Sequence, residues 1–343
     1  MMKIALDTAG GDHAPQAMIA GSKSALATYS DIETLFLTGP QELIYNELKA
    51  QKLNDKRIEI VDAPEIVEMH ESGALALRKK KKSSVAVAID LVKSGDAQAV
   101  ISAGNTGAAV AAATIKLRLL EGVERPGIAS PIPNKHKVIN LMDAGANPDA
   151  KVQHLIAYAI MSGVYAQNVF NIKRPTIGLV SNGEEEEKGS EFTKETFKAL
   201  KALVAEYGDS LPFEFIGNIE GHDLFTGEVD VALCEGFVGN VVLKSCEATA
   251  KALTNMLKEE IMSQPINKLG GLLARGAFKR VKEKLSPDQV GGSPLLGVRG
   301  NVMISHGGAS DVAIHNAIRM SREAINHDVN GHLEAALKQF ITA

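Results

Sequence analysis

Five short segments of the chain combine glycine with acidic, amide, hydroxyl or basic side chains, a pattern that could bind an anion. They span residues 7–15, 102–107, 141–148, 181–190 and 305–311. Glycine lets a backbone approach a ligand closely, and a helix that begins after such a turn offers free N–H groups to phosphate. One such turn is weak evidence, because turns use glycine, Asn and Asp for backbone reasons alone. Five of them predict a site for a phosphate-like anion and for the oxyanion of an acyl transfer.

Two histidines lie inside these segments and are the strongest candidates for moving a proton. His13 follows Asp12 in the first segment, and His306 precedes two glycines in the last. No serine occupies a G-x-S-x-G turn and neither cysteine has a base beside it, so a covalent acyl-enzyme is not indicated. The first segment also lacks the G-x-G-x-x-G spacing of a dinucleotide site.

Short β-like runs alternate with helical runs along the chain, and these elements must hold the polar segments in place. The predicted strands are residues 3–7, 35–38, 58–62, 99–102, 127–131, 138–143, 176–181, 213–216, 229–233 and 301–305. The predicted helices are residues 15–29, 41–50, 84–93, 107–117, 149–169, 190–206, 239–262, 268–285 and 310–326. This alternation predicts an α/β fold with a largely parallel sheet. Because each polar segment follows a strand, we expect all five along one edge of that sheet.

Composition narrows the possible functions. The 343 residues carry 37 basic and 41 acidic side chains and 4% aromatics without tryptophan, which argues against a nucleic-acid-binding protein. Cys234 and Cys246 form neither a metal-ligand pattern nor a disulfide framework, so we expect a cytoplasmic protein without a metal or a cofactor. No apolar run reaches the ~18 residues of a membrane span. We expect one α/β body, residues 1–343, with an inserted amphipathic helical segment near residues 253–290.

Residues 268–285 predict a basic amphipathic helix. Leu269 and Leu273 begin an apolar stripe with a spacing of four residues, and Arg275, Lys279 and Arg280 belong to the basic remainder. Three interpretations stay open. The stripe packs into the core or against a second copy of the chain, it lies on an anionic membrane surface, or the basic face docks an acidic carrier protein.

The polar segments, taken together and in order, carry a resemblance to a known family. Residues 5–15, 100–109, 143–147, 182–194, 215–220, 234–244 and 292–311 resemble the phosphate acyltransferases of bacterial phospholipid synthesis. The chain departs from that family's usual residues at Thr8-Ala9, His222, Glu235 and Gly308-Ala309. The resemblance implies transfer of a fatty acyl group from acyl carrier protein to inorganic phosphate, which gives acyl phosphate.

The same resemblance implies an architecture and a setting. The fold would be a Rossmann-like α/β body of the isocitrate/isopropylmalate dehydrogenase type, layered αβα. The protein would be a homodimer associated peripherally with the cytoplasmic membrane. Its product would pass to the downstream acyl phosphate:glycerol-3-phosphate acyltransferase.

The implied reaction suggests roles for the polar residues. Phosphate is a competent nucleophile and a thioester is an activated acyl donor, so the enzyme has to align two reactants and stabilise an oxyanion. We predict that the 104–107 turn binds phosphate, and that the two histidines transfer protons or donate hydrogen bonds to the oxyanion. The predicted binding residues are Gly11, Gly104, Asn105, Thr106, Gly107, Asn147, Asn182, Asn240 and Ser310. The predicted catalytic residues are Asp12, His13, Lys188 and His306.

Two other functions stay open on these residues. A phosphotransacetylase-like enzyme would use coenzyme A thioesters with the same phosphate-binding turns. A non-catalytic membrane-surface scaffold for lipid enzymes would need only the amphipathic helix and the dimer.

Overall fold

The structure is a computed structural model that describes residues 1–134 and 136–342. Its strands are β1 (Met2–Asp7), β2 (Ile32–Gly39), β3 (Ile58–Asp62), β4 (Ala99–Ser102), β5 (Gly127–Pro133), β6 (Val138–Met142), β7 (Thr176–Val180), β8 (Glu214–Ile219), β9 (Val231–Leu233), β10 (Ser293–Leu296) and β11 (Asn301–Ile304). Its helices are α1 (Gln16–Thr28), α2 (Gln41–Ala50), α3 (Gly73–Lys79), α4 (Ser84–Ser94), α5 (Thr106–Lys116), α6 (Val152–Val169), α7 (Glu191–Tyr207), α8 (Gly236–Ser263), α9 (Pro265–Leu285), α10 (Asp311–Asn326) and α11 (Val329–Phe340). Every predicted strand and helix is present with ends shifted by a few residues, while β10, α3 and α11 are additional.

One sheet joins these strands in the order β3-β2-β1-β4-β11-β10-β5-β6-β9-β7-β8. Strand β10 pairs antiparallel with both β11 and β5, and β5 pairs antiparallel with β6. The remaining described pairs are parallel. The predicted α/β fold with a largely parallel sheet is therefore confirmed.

Strand β1 shows why helices cover both faces of the sheet. Ile4 and Leu6 belong to one apolar core together with α1 and α10, whereas Ala5 belongs to another together with α4 and α5. Successive residues of a strand point to opposite faces, so a strand covered on both faces must be apolar at every position. All three residues are fully buried, and three layers, helix, sheet and helix, result.

The strands on the two sides of the β10–β5 junction run in opposite directions. Strands β1, β2, β3, β4 and β11 run one way, and β6, β7, β8 and β9 run the other. The expectation that all five polar segments share one edge was therefore wrong, because the segments after β6 and β7 start from the opposite edge. Register pairs Ile304 with Ser293 and Leu141 with Ser130, and the Ser293 and Ser130 hydroxyls lie 3.2 Å apart. The carboxyl ends of both strand sets consequently meet near the middle of the sheet.

Helices α8 and α9 fold back on each other as a hairpin. The two helices are in close contact, since a Cβ on Gly271 of α9 would lie 2.4 Å from Ile261 of α8. Most side chains of α9 are exposed, among them Leu269 at 56% and Leu273 at 82%. The basic residues Arg275, Lys279 and Arg280 are exposed as well. Within the described residues, no helix is both long and apolar enough to cross a bilayer.

Candidate active site

A cleft of about 670 Å³ lies where the two sets of carboxyl ends meet. Helix α5 lines one side of it and α8 another, and residues of β5, β10 and the segment after β11 complete the lining. The third polar segment reaches the cleft through residues 144–146, although it starts from the opposite edge of the sheet. The cleft thus collects polar groups from both halves of the sheet.

Asn105 shapes the start of α5. Its Oδ1 accepts the N–H of Ala108 at 3.0 Å and so caps the helix. Its Nδ2 donates to the carbonyl oxygens of Glu68, Met69 and Glu71 at 3.1, 3.2 and 2.8 Å. Both ends of the amide are therefore bonded within the protein, and Asn105 fastens the 68–71 loop to the helix.

The residues of this turn that line the cleft are Thr106 and Gly107. They belong to the first turn of α5, where N–H groups have no acceptor within the helix. A helix N-terminus also carries a partial positive charge, which favours an anion. This end of the cleft is therefore suited to phosphate.

The first and last polar segments pack against each other beside this turn. The N–H of Asp12 donates to the carbonyl oxygen of Gly307 at 2.7 Å. Gly11 has a φ of +104°, and a Cβ at this position would lie 2.9 Å from the carbonyl oxygens of Ala103 and Gly307. Only glycine fits this left-handed conformation in such close contact. The side chains of Asp12 and His13 are exposed.

A buried carboxyl connects the first and second segments. Asp7, the last residue of β1, accepts the hydroxyl hydrogen of Ser102 on Oδ2 at 2.7 Å, and the Ser102 oxygen accepts the N–H of Gly104 at 3.2 Å. Asp7 Oδ1 is buried and has no hydrogen-bond partner in the described part of the chain. Burial raises the pKa of Asp7, and the hydrogen bond from Ser102 only partly opposes that shift.

His306 contacts α8 beside the cleft. The N–H of Gly308 donates to His306 Nδ1 at 3.1 Å in the tautomer that carries the ring hydrogen on Nε2. That nitrogen lies 3.3 Å from Lys244 Nζ, and Lys244 forms an ion pair with Glu247 at 2.8 Å. His306 Nε2 is 4.0 Å from the same Glu247 carboxylate. These contacts place a cation next to an N–H donor in the lining of the cleft.

Asp143 organises the third polar segment. Its carboxylate accepts four backbone N–H groups at 2.7 to 3.1 Å, those of Ile128, Gly145, Ala146 and Asn147. Burial raises the pKa of Asp143, and these backbone hydrogen bonds act in the opposite direction. Gly145 then sits against Asn240 of α8, because a Cβ on it would lie 3.3 Å from that side chain.

The structure brings some predicted site residues to the cleft. Thr106, Gly107, Asn240 and His306 line it. Gly11, Asp12 and Gly104 lie in the packed turns that border it, and His13 follows on the same turn.

The side chains of other predicted site residues form hydrogen bonds within the protein. Besides Asn105, the Asn147 amide contacts His154 at 3.1 Å. Ser310 caps α10 and donates its hydroxyl hydrogen to Asp288 at 2.7 Å.

Asn182 and Lys188 are not brought to the cleft. Both lie on the exposed loop that follows β7, and neither is among the residues lining the cleft. Asn182 Oδ1 accepts the N–H of Gly189 at 2.7 Å, so this amide shapes its own loop.

Four charged residues of the cleft were not predicted: Lys244, Glu247, Arg125 and Asp288. Lys244 and Glu247 follow Asn240 at i+4 and i+7, which places all three on one face of α8. That spacing is visible in the sequence and could have identified them. Arg125 precedes β5 and no periodic pattern distinguishes it.

The layered α/β fold brings a helix N-terminus, a lysine and a histidine to one cleft, an arrangement that suits a group-transfer enzyme with an anionic substrate. A family model described as "Fatty acid synthesis protein" matches residues 2–332. A phosphate acyltransferase of Akkermansia muciniphila is 54% identical over 341 residues, covering 99% of this chain and 97% of the relative. A phosphate acyltransferase of Geobacter sulfurreducens is 43% identical over 342 residues, covering 100% and 96%. The chain belongs to the phosphate acyltransferase family, as its sequence resemblance indicated, and it is a transferase.

Solved structures support the fold. A phosphotransacetylase from Streptococcus pyogenes superposes with a TM-score of 0.60 at 15% identity, covering 94% of each chain. A branched-chain phosphotransacylase from Enterococcus faecalis gives a TM-score of 0.56 at 14% identity, covering 95% of this chain and 100% of that one. At this level of identity the likeness concerns the fold alone.

Proposed function

We propose that this chain transfers a fatty acyl group from the thioester of acyl carrier protein to inorganic phosphate, forming acyl phosphate for phospholipid synthesis. The observation that carries the proposal is the joint lining of one cleft by the start of α5 and by the Lys244–His306 pair. One part suits a phosphate and the other suits a developing oxyanion. Membership of the phosphate acyltransferase family supports the same reaction.

The reaction can be written on these groups. A phosphate oxygen attacks the thioester carbonyl carbon, and the carbonyl oxygen becomes an oxyanion. Lys244 Nζ and the Nε2–H of His306 stabilise that oxyanion, and Glu247 holds Lys244 in place. The carbon–sulfur bond then breaks, and the leaving thiolate takes up the proton that the attacking hydrogen phosphate loses, which gives the free thiol and acyl phosphate. No redox step occurs in this sequence.

Some predicted roles are kept here as proposals. Thr106 and Gly107 bind the phosphate through the first turn of α5, and Asn240 contacts the substrate from α8. Gly11, Gly104, Asn105, Asn147 and Ser310 act by positioning these groups rather than by touching the phosphate. Asp12 and His13 border the site from the first turn. Asn182 and Lys188 would need the loop after β7 to approach the cleft when substrate binds.

A discontinuous assay tests the reaction. The protein is incubated with inorganic phosphate and either an acyl carrier protein thioester or a coenzyme A thioester, and acyl phosphate is trapped with hydroxylamine. Hydroxamate that requires both phosphate and carrier protein supports the proposal. Hydroxamate from the coenzyme A thioester alone supports a phosphotransacetylase-like enzyme, and none from either donor supports a scaffold.

A variant pair tests the oxyanion role. Lys244→Met should lower kcat by about 10²–10³-fold, as removal of one oxyanion-stabilising donor does. Lys251→Met is the matched control, because Lys251 is an exposed lysine two helical turns further along α8 and outside the cleft. Equal activity of the two variants would refute the role of Lys244.

The α8–α9 hairpin supplies the surfaces for partners. Its exposed apolar side chains on α9 include Leu269, Leu272 and Leu273, and an exposed apolar patch of this kind usually marks an interaction site. We propose that this apolar face either lies on the surface of the cytoplasmic membrane or packs against a second copy of the chain. The adjacent basic residues Arg275, Lys279 and Arg280 dock the acidic carrier protein. At the membrane, the product reaches the acyl phosphate:glycerol-3-phosphate acyltransferase that consumes it.

Two variants separate these surface roles. Leu273→Asp should weaken flotation with anionic vesicles or lower the dimer fraction in sedimentation. Arg275→Glu combined with Lys279→Glu should raise KM for the carrier protein thioester at low salt, with an effect that shrinks as salt screens the charges. Unchanged KM in the double variant at low salt would refute carrier docking on α9.

A further inference from the structure

We infer that the acyl chain of the substrate lies along α5 from Val110 to Ile115, against Leu243 of α8, and that this apolar wall determines which chain lengths are transferred. The inference rests on the proposed function and adds a subsite to the same cleft. It assigns the chemical class of the ligand at that subsite, a saturated hydrocarbon tail.

One continuous face of α5 lines the cleft. The residues on it are Thr106, Gly107, Val110, Ala111, Thr114 and Ile115. They form three pairs of adjacent residues, and each pair follows the previous one by four positions. This spacing places all six on one face of an α-helix. At 1.5 Å per residue, the stripe is about 14 Å long. The cleft therefore extends well beyond the first turn, where phosphate binds.

The chemical character of this face changes one turn from its start. Val110, Ala111 and Ile115 are apolar, and the Thr114 hydroxyl donates to the Val110 carbonyl oxygen at 2.7 Å. That hydroxyl is satisfied by its own helix, so Thr114 adds mainly its methyl group to the wall. The Ile115 side chain is 70% exposed although it lines a cleft.

Other apolar side chains of the lining are Leu243 from α8 and Ile128 and Pro131 from β5. The α5 face beyond Gly107 carries one polar side chain, Thr114, and its hydroxyl is already bonded within the helix. A hydrocarbon chain gains free energy from each methylene that it buries there.

The order of the two regions also matches one ligand. The carbonyl carbon under attack must lie between the phosphate at the first turn of α5 and the Lys244–His306 pair. A chain that leaves this carbon meets Val110 and Ala111 first and Ile115 last. A fatty acyl group has this arrangement, with one polar end and one long apolar end.

The experiment compares chain lengths rather than total activity. Acyl carrier protein is loaded with a saturated series from butyryl to stearoyl, and kcat/KM is measured for each donor. For methylenes that contact the wall, kcat/KM should rise by up to about fourfold each, which corresponds to ~0.8 kcal/mol per buried methylene. Beyond the end of the wall the rise should stop.

Two variants then alter the wall. Ala111→Phe fills it near its start, so the loss in kcat/KM should grow with chain length and reach at least tenfold for the long chains. Ile115→Ser removes exposed apolar surface at the far end without disturbing the core, so only the longer chains should lose. Ala205→Phe is the control, because Ala205 is an exposed alanine on α7 outside the cleft.

The outcomes separate this inference from the proposed function. If no donor yields acyl phosphate with the parent protein, the proposed function fails. If acyl phosphate forms and both α5 variants keep the parental chain-length profile, the acyl subsite is overturned and the function stands. An equal loss for every chain length in Ala111→Phe also overturns it, since that pattern places the carrier's thiol arm on this wall instead.

Discussion

Replacing Asn105 tests whether this residue binds phosphate directly or positions the turn that does. In Asn105→Ala the cap on the Ala108 N–H is lost, which costs ~1 kcal/mol. The two amide hydrogens shared by the carbonyls of Glu68, Met69 and Glu71 are lost as well, at ~1 kcal/mol net for each hydrogen. The local opening free energy of this region should therefore fall by ~3 kcal/mol, which corresponds to about 100-fold faster hydrogen exchange.

Asn105→Ser separates the two contributions. A serine at this position still caps the helix, but it cannot reach the three loop carbonyls. We expect the Ala108 amide to keep its protection in the serine variant and to lose it in the alanine variant. The amides of residues 68–71 should exchange faster in both, by about 30-fold for a loss of ~2 kcal/mol. The Ala109 amide, which donates to the Asn105 backbone carbonyl, is the internal control.

The assay is hydrogen exchange followed by mass spectrometry, combined with phosphate titrations of acyl phosphate formation. If Asn105 is a positioning residue, the loss of activity should follow the exchange rate of the 68–71 loop across the two variants. Loss of activity with unchanged loop exchange would refute this reasoning and would restore Asn105 as a direct phosphate ligand.

Three further outcomes follow from buried groups and close contacts. Burial raises the pKa of Asp7, so its contribution to stability is complete below the unfolded-state pKa of ~3.9 and is lost as the pH rises through the folded-state pKa. The side chain of Asp7→Asn stays neutral, so the free energy of unfolding of this variant in urea should rise relative to that of the parent as the pH is raised from about 4 to 7. A difference in unfolding free energy that does not change with pH would contradict this. Gly239→Ala would place a Cβ 1.9 Å from the Asp143 carbonyl oxygen, so it should cost ~2–3 kcal/mol in urea unfolding and displace α8 from the cleft. Gly270→Ala, with no atom within 4 Å of the new Cβ, should instead stabilise α9 by ~0.5–1 kcal/mol, measurable in the same unfolding experiment.

The sequence predicts the secondary structure well because apolar periodicity and glycine-rich turns are local signals. Strand β10 was missed since Ser293-Pro294-Leu295-Leu296 is short and contains a proline, which is rare in a paired strand. Strand β10 is antiparallel to both of its neighbours, so β5 runs in the same direction as β11, and the two strand sets change direction at the antiparallel β5–β6 pair. Both strands of that pair were predicted, but their antiparallel pairing was not, and this led to the wrong expectation of a single edge. Helix α3 was missed because it begins at a glycine and ends in the basic run at Arg78.

Within the site, composition identified the turns but not the partners of their side chains. Asn105 reads as a phosphate ligand in sequence, and only the fold shows its amide facing three carbonyls of a loop more than 30 residues earlier. Lys244 and Glu247 lie in the helix predicted at residues 239–262, whose polar face was given no role. The pairing of Lys244 with His306 joins residues 62 positions apart, which no local pattern encodes.

The position of β4 in the sheet has a consequence for how the protein is made. One side of β4 pairs with β1, which is synthesised early, but the other side pairs with β11, about 200 residues later. At the usual ~5–20 residues per second of translation, β4 waits roughly 10–40 s for that partner. An exposed strand of this kind is a template for aggregation. The edge of β4 that receives β11 therefore stays unpaired until the last eighth of the polypeptide has been synthesised.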